Sequence, residues 1–373
     1  MNAIAHSSGQ TQLAAALQVE GLSKRFGALK AVDDLQFSVP AGSLTVLLGP
    51  AGAGKTTTLR LIAGLDPPDA GRVVIDGQDV GGREPKDRDV AMIFDNLALY
   101  PNKTGFENIA SSLSIRGVSK TEIAEAVAAV AATLRIAHVL KRLPRTMSGG
   151  ERQSVALGRA LVRKPRLFLL DEPLSSLDTM LRIELRAELR RLQREHGRNF
   201  LLATPDFAEA LAIADTVIVL RAGRIVQIAD PQSLYDAPAD RDVARFVGTP
   251  HINILPVERA PGAGSEIRVA GAIIKLPQRL FQLIADGRRA LEIGLRPEHF
   301  TLAPPEEGNL RGRLTDVEPL GLKSALTVRN DDGEVRMVAD TSATRGLKIG
   351  DTIGAAIAAN RLLLFDRETG VRL

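Results

Sequence analysis

Up to Gly248-Thr249-Pro250, short apolar runs alternate with stretches in which apolar residues return every three or four positions; beyond that point only short runs remain. Leu17 to Val39 reads as short strands and turns. The unbroken run Leu44-Thr45-Val46-Leu47-Leu48 predicts a strand buried on both faces, and 55–64 predicts a helix. Strands are expected at 72–76 and 90–94. Residues 107–134 and 150–163 have helical period, with Ile123, Val127, Val130 and Leu134 on one face. Leu167 to Asp171 predicts a further buried strand, and about 180–196 an amphipathic helix ended by Gly197. Strands at 199–204 and 216–221, with a helix between them, complete an α/β pattern around a mostly parallel sheet.

After Gly248 the runs Glu266–Val269, Ala272–Leu276, Leu291–Leu295, Leu314–Val317, Ala325–Val328 and Glu334–Val338 are separated by Gly, Pro, Asn and Asp. That spacing predicts a small all-β barrel or sandwich. Residues 1–16 follow neither pattern and read as a loose extension.

Composition narrows the function classes. A chain of 373 residues is long enough for two or three domains. Its 45% hydrophobic and 25% charged content is that of a soluble protein, and a formal net charge of +4 gives no reason to expect nucleic acid. Aromatic residues make up 3% with no Trp, which argues against a base-stacking surface. Cysteine is absent, so disulfides and thiolate metal sites are excluded. No run of about 18 apolar residues occurs, and the first sixteen residues lack the basic start and apolar block of a signal peptide. A membrane role would therefore run through a partner.

Two stretches carry phosphate chemistry. Gly49-Pro50-Ala51-Gly52-Ala53-Gly54-Lys55-Thr56-Thr57 fits Gly-x-x-x-x-Gly-Lys-Thr between a predicted strand and a predicted helix, the context that motif requires. Backbone N–H groups there cradle phosphates, Lys55 neutralises the β and γ groups, and the Thr56 hydroxyl can ligate Mg²⁺. Ser148-Gly149-Gly150-Glu151 opens a second helix, with Ser148 as cap and two glycines that let an anion approach the backbone. Two anion sites in one chain make sense if two chains clamp nucleotide between them. His138, His196, His251 and His299 have no metal-ligand spacing. The arginines of 182–198 alternate with Glu184, Glu188 and Glu195 over an apolar stripe of Leu181, Leu185, Leu189 and Leu192, a solvated amphipathic helix rather than a nucleic-acid surface.

This pairing of a phosphate loop with a Ser-Gly-Gly helix start just before Leu167-Phe168-Leu169-Leu170-Asp171-Glu172-Pro173 resembles the ATP-binding cassette (ABC) family. Within it, Gly294-Leu295-Arg296-Pro297-Glu298-His299, Val317-Glu318-Pro319-Leu320-Gly321 and Leu364-Phe365-Asp366-Arg367-Glu368-Thr369-Gly370 resemble ATPase subunits of carbohydrate importers of the maltose and glycerol-phosphate type. The resemblance implies an ABC nucleotide-binding domain over 17–248, with a helical subdomain at about 96–162, and an OB-type (TOBE) regulatory domain over 249–373. It implies ATP and Mg²⁺ as cofactors, Phe26 stacking on adenine, Asp171 on the magnesium side and Glu172 as general base. It further implies Ser148 to Glu151 facing a partner's nucleotide, and Asp178, after Ser176 and Leu177, in the loop between partners. Two transmembrane permease subunits, a second ATPase subunit and, indirectly, an extracytoplasmic solute-binding protein are the implied partners, on the cytoplasmic face of the inner membrane. Glu107 and Asn108 are expected at the permease-facing surface.

Two positions depart from that pattern. Asp95 stands where the family has a Gln that reaches Mg²⁺ and water, and Pro205 where it has a His that contacts the γ-phosphate. Asp95 can be a hard Mg²⁺ ligand but repels the γ-phosphate without a bridging metal. Proline offers neither donor nor titratable group. Three readings stay open: pairing with a non-identical sister ATPase, to which this chain lends its signature; a homodimer in which Asp95 takes over metal binding; and a structural or regulatory subunit that binds ATP and hydrolyses little of it.

Overall fold

The computed structural model describes residues 15–94, 96–175, 177–259, 265–285 and 290–373. Asp95 and Ser176, and most of the expected extension, lie outside the described residues. The chain forms two compact units, Met1–Pro231 and Gln232–Leu373.

The first unit opens with β1 (Ala15–Phe26), β2 (Leu29–Pro40), β3 (Leu44–Leu48), α1 (Lys55–Ala63), β4 (Ala70–Ile75), β5 (Gln78–Asp79) and β6 (Val90–Ile93). It continues with α2 (Gly105–Ser114), α3 (Lys120–Thr133), α4 (Gly149–Leu161), β7 (Leu167–Asp171), α5 (Thr179–His196), β8 (Asn199–Thr204), α6 (Phe207–Ile213), β9 (Thr216–Arg221) and β10 (Arg224–Ala229). One sheet has the order β2-β1-β4-β5; the other has the order β10-β9-β3-β8-β7-β6. Strands β3, β8, β7 and β6 are mutually parallel, and every residue of β3 and β7 is buried. Burial on both faces is why their sequences run apolar instead of alternating. Phe168 and Phe200 stack across neighbouring strands with centroids 4.7 Å apart.

The helical stretch expected over 107–134 is two helices, not one. Gly117 takes a φ of 72°, and Ser119 then caps α3 in a reciprocal box with Glu122. A cap and a left-handed glycine outweigh a continuous apolar period. Further back, Arg88 is buried and donates to the carbonyl oxygens of Leu61 and Ile62 at 3.1 and 3.0 Å. It thus satisfies the last turn of α1, the helix whose first turn carries Lys55 and Thr56.

The second unit contains α7 (Pro231–Asp236), at whose first residue the division falls, α8 (Arg241–Phe246), β11 (Asn253–Pro256), β12 (Glu258–Arg259), β13 (Glu266–Val269), β14 (Ala272–Lys275) and α9 (Gln278–Ala285). Then come β15 (Leu291–Leu295), β16 (Phe300–Ala303), β17 (Leu310–Pro319), β18 (Lys323–Asn330), β19 (Gly333–Asp340), β20 (Thr352–Ile357) and β21 (Leu363–Asp366). All pairing among these strands is antiparallel, in sheets β11-β15-β21, β12-β13-β14 and β16-β20-β17-β18-β19 around one apolar core.

The break in pattern at Gly248 is a turn inside this unit, whereas the units divide earlier. The reason is Arg296, which is 2% exposed and donates to the carbonyls of Ala244 (3.1 Å), Tyr235 (2.8 Å) and Val247 while lying over the Tyr235 ring at 3.9 Å. One buried guanidinium thereby fastens α7 and α8 to the β-rich part. Removing it leaves buried carbonyls without a donor. Arg296→Ala should cost the second unit roughly 3 kcal/mol, read as a lower midpoint in denaturant; an unchanged midpoint would refute the fastening role.

On α6, just after β8, Glu209 is 3% exposed. Its Oε2 accepts from the Thr204 hydroxyl at 2.6 Å, while its Oε1 is buried with no hydrogen-bond partner among the described residues. Burial, helped by the Asp206 charge, pushes its carboxyl from 4.5 up to about 7, against the Thr204 hydrogen bond and the charges of Arg186 and Arg182. The folded chain therefore holds this proton more tightly than the unfolded chain, so stability is full below about pH 4.5 and falls as pH rises through about 7. Glu209→Gln should remove that slope and be more stable than the wild type at pH 8 by about 1–3 kcal/mol. Thermal melts between pH 5 and pH 8 check this; parallel pH profiles for the two proteins would contradict it.

Candidate nucleotide site

Parallel register places three loop starts side by side. Leu48 pairs with Thr204 across β3 and β8, and Asp171 with Ala203 across β7 and β8. The carboxyl ends of these strands therefore bring together the 49–54 loop, Asp171-Glu172 and Thr204-Pro205, the crevice in which open α/β sheets take ligands.

The loop leads into α1, which has no side-chain cap and no acidic residue in its first turn. Its leading N–H groups are thus available to an anion. Gly54 sits at φ 102°, where an added Cβ would lie 2.4 Å from the Ala31 carbonyl oxygen, so the loop can close on β2 only with glycine there. Lys55, buried, donates to the carbonyls of Gly49 and Pro50 at 2.9 and 3.1 Å, and its Nζ lies 3.7 Å from Glu172 Oε1. Burial lowers its affinity for the proton, opposed by Glu172 and Asp171. Thr56 Oγ1 donates to Asp171 Oδ1 at 3.1 Å, and Asp171 is 1% exposed. A hydroxyl and a buried carboxylate facing each other beside a phosphate loop suit Mg²⁺, which takes few protein ligands and completes its shell with water and phosphate oxygens. Glu172 has φ 46°, with its N–H bonded to the Ala203 carbonyl at 2.9 Å, a left-handed bend immediately after β7. Phe26 closes the β1–β2 hairpin, half exposed, with Lys24 Nζ 5.7 Å from its ring centroid.

The Ser148 terminus carries the cap expected of Ser148, closed reciprocally. Ser148 Oγ accepts from the Glu151 N–H, and the Glu151 carboxylate accepts from the Ser148 N–H at 2.6 Å. Arg142 and His138 approach that carboxylate at 2.9 and 3.3 Å, and the Ser148 N–H above all holds it below the ordinary carboxylate range. Glu151 is thus a reciprocal cap, and His138 is drawn to it. A Cβ at Gly150 would meet Leu181 Cδ2 at 2.0 Å, so any side chain there would have to displace the tip of that leucine. Asp178 caps α5 by accepting from the Leu181 N–H at 2.9 Å. Pro205 is exposed between Thr204 and Asp206, and Asp206 caps α6.

Asn108, expected at a surface, is fully buried and holds Tyr100, Lys103 and Thr104 through its amide, while Glu107 forms a capping box with Thr104. Its role is to fasten the 100–104 loop. Of the residues that sequence reasoning overlooked, Arg159 and Glu209 carry a signal, an ionisable side chain within a helix otherwise rich in apolar and small residues, whereas Arg88 lies in the charged stretch 83–89 and carries none. Among the described residues no group of three His, Cys, Asp or Glu could hold a metal on its own, and no helix is long and apolar enough to cross a membrane.

A family model described as ABC transporter matches residues 32–175, and one described as TOBE domain matches residues 293–365. Among curated proteins, the sn-glycerol-3-phosphate import ATP-binding protein UgpC of Cereibacter sphaeroides is 41% identical over 359 residues, covering 96% of this chain and 100% of the relative. Its namesake in Escherichia coli is 39% identical over 360 residues, covering 96% and 100%. Among solved structures, a dimeric ATP-binding cassette in a post-hydrolysis state with ADP and Pi superposes with a TM-score of 0.54 at 24% identity, over 58% of this chain and 98% of that one. The cbiO1 cassette of Clostridium perfringens gives 0.56 at 24%, over 60% and 91%. These two similarities show the fold. Identity near 40% along essentially the whole of each curated relative shows more: the chain belongs to the ABC transporter family, as an ATPase subunit carrying a TOBE domain.

Proposed function

We propose that the chain powers an importer for a glycerol-phosphate-like polyol or a sugar, docked on the cytoplasmic face of two permease subunits that receive substrate from an extracytoplasmic solute-binding protein. The Thr56–Asp171 pair, with Lys55 between the loop carbonyls and Glu172, is the observation that carries the ATPase part of this reading. The substrate class rests on the names of the relatives, which specify sn-glycerol-3-phosphate import.

In this reading the N–H groups of the 49–57 stretch bind the phosphates. Lys55 leaves its two carbonyls to neutralise the β and γ oxygens, and Glu172 orients the attacking water. Thr56 and Asp171 would hold Mg²⁺, which supplies charge neutralisation on the transferring phosphoryl group. Ser148, Gly149 and Gly150 of a second ATPase subunit cover the nucleotide from the other side.

A second reading is favoured by Pro205, which sits at the carboxyl end of β8 without a donor. The chain's own half-site would be slow by about 10²-fold, by analogy with a missing preorganised donor. It would work beside a non-identical sister whose nucleotide its Ser148 end completes, or serve as a mainly structural ATP-binding subunit.

Calorimetry on the purified chain should give Mg-ATP binding of about −8 to −4 kcal/mol, largely lost in Lys55→Ala; equal affinities would sink the nucleotide assignment. For turnover, Pro205→His separates the readings. If the absent donor limits the site, this substitution should raise the turnover of the purified chain by about 10-fold or more. An unchanged rate at unchanged ATP affinity would mean that the site works without it, and the second reading falls.

A further inference from the structure

The chain leaves β6 through a turn in which two consecutive residues with side chains, Leu97 (φ 60°) and Ala98 (φ 43°), are left-handed. Any residue with a Cβ resists that conformation. What holds it is a guanidinium from another element. Arg159, on α4, donates from Nη1 to the Ala98 carbonyl at 2.6 Å and from Nη2 to the Leu97 carbonyl at 2.8 Å. Its carbon lies 5.8 Å from the centroid of the Tyr100 ring, which Lys103 approaches at 4.8 Å. Asn108 fixes Tyr100 at both its N–H and its carbonyl. Among the described residues no carboxylate forms a salt bridge with Arg159, so the desolvated cation and the strained turn stabilise each other. Arg159 sits three helical turns along α4 from Ser148, and the turn follows the strand that pairs with β7, whose end carries Asp171 and Glu172.

We propose that Arg159 is a positioning residue of the ATPase reaction: its two-pronged grip on Leu97 and Ala98 ties the helix begun by Ser148 to the loop beyond β6, so that the two move as one body. The grip needs the planar fork of arginine. A lysine ammonium keeps the charge but cannot reach two adjacent carbonyls in the same geometry. Glycine at 98 makes the left-handed turn accessible without the grip, whereas valine makes it harder to hold.

The experiment uses the purified full chain and measures steady-state ATPase kinetics, with a thermal melt as folding control. Arg159→Lys should lower kcat about 10-fold with KM for ATP within about 2-fold, the signature of lost positioning rather than lost binding. Ala98→Gly should leave kcat within about 2-fold when Arg159 is present, and recover at least about 3-fold in the Arg159→Lys background, because the two positions act through one turn. The idea is overturned if Arg159→Lys keeps its kcat, or if Ala98→Gly restores nothing. Should the lysine variant fail to fold, Ala98→Val with Arg159 intact decides: about a 10-fold loss of kcat at constant KM is expected, and an unchanged kcat refutes the tie. Lys55→Ala serves as the reference for the site itself. If that variant retains the measured rate, it is the ATPase assignment of the phosphate loop that fails, not the tie.

Discussion

Asp171 is a carboxylate withdrawn almost wholly from water, and the first unit is arranged around the need to keep it so. A buried charge is tolerated only when its surroundings replace the hydration it has lost. Here the Thr56 hydroxyl does part of this, and the uncapped start of α1 and the Lys55 ammonium supply positive potential nearby. Those groups reach Asp171 because β3 and β7 both flank β8 in parallel register, so that a loop and a carboxylate widely separated in sequence come to the same edge. Arg88, closing the far end of α1, keeps that helix seated where its first turn is useful.

Much of this was legible in the amino-acid order. The runs Leu44–Leu48 and Leu167–Asp171 could be nothing but strands buried on both faces, and the loop between strand and helix carried its chemistry in the glycines and Lys55. In the second unit β13 and β15 came out with the bounds expected, but β17, β18 and β19 came out longer, since an antiparallel hairpin such as β17–β18 extends through polar, exposed residues that break an apolar run without breaking the ladder. What stayed hidden were contacts made over long sequence separations by single polar side chains. Nothing local in Arg296 says that it will fasten α7 and α8, and nothing local in Asn108 says that it will turn inward and hold a loop. Periodicity reports which face of an element is apolar; it cannot report which buried backbone carbonyl lacks a donor.

At the nucleotide crevice the same contrast holds. Thr56, Asp171, Lys55 and Glu172 were named from motif and come within a few ångströms of one another. Pro205 was also named, and it stands at the edge of that group as an exposed residue with no polar atom to offer beyond its carbonyl. Beneath it, Thr204 and Glu209 share a hydrogen bond in the protein interior, so the loop that carries Pro205 rests on a group whose charge is set by burial rather than by solvent.

The reciprocal cap at Ser148 has one more consequence. A helix terminus that waits for a ligand is at risk of fraying while it waits, because its first N–H groups have nothing to bind. In α4 the Glu151 side chain already satisfies one of them and Ser148 another, with Arg142 steadying the carboxylate from outside. The helix start thus has its shape before any phosphate arrives. Whatever docks there meets a finished surface and does not have to spend part of its binding energy ordering the chain.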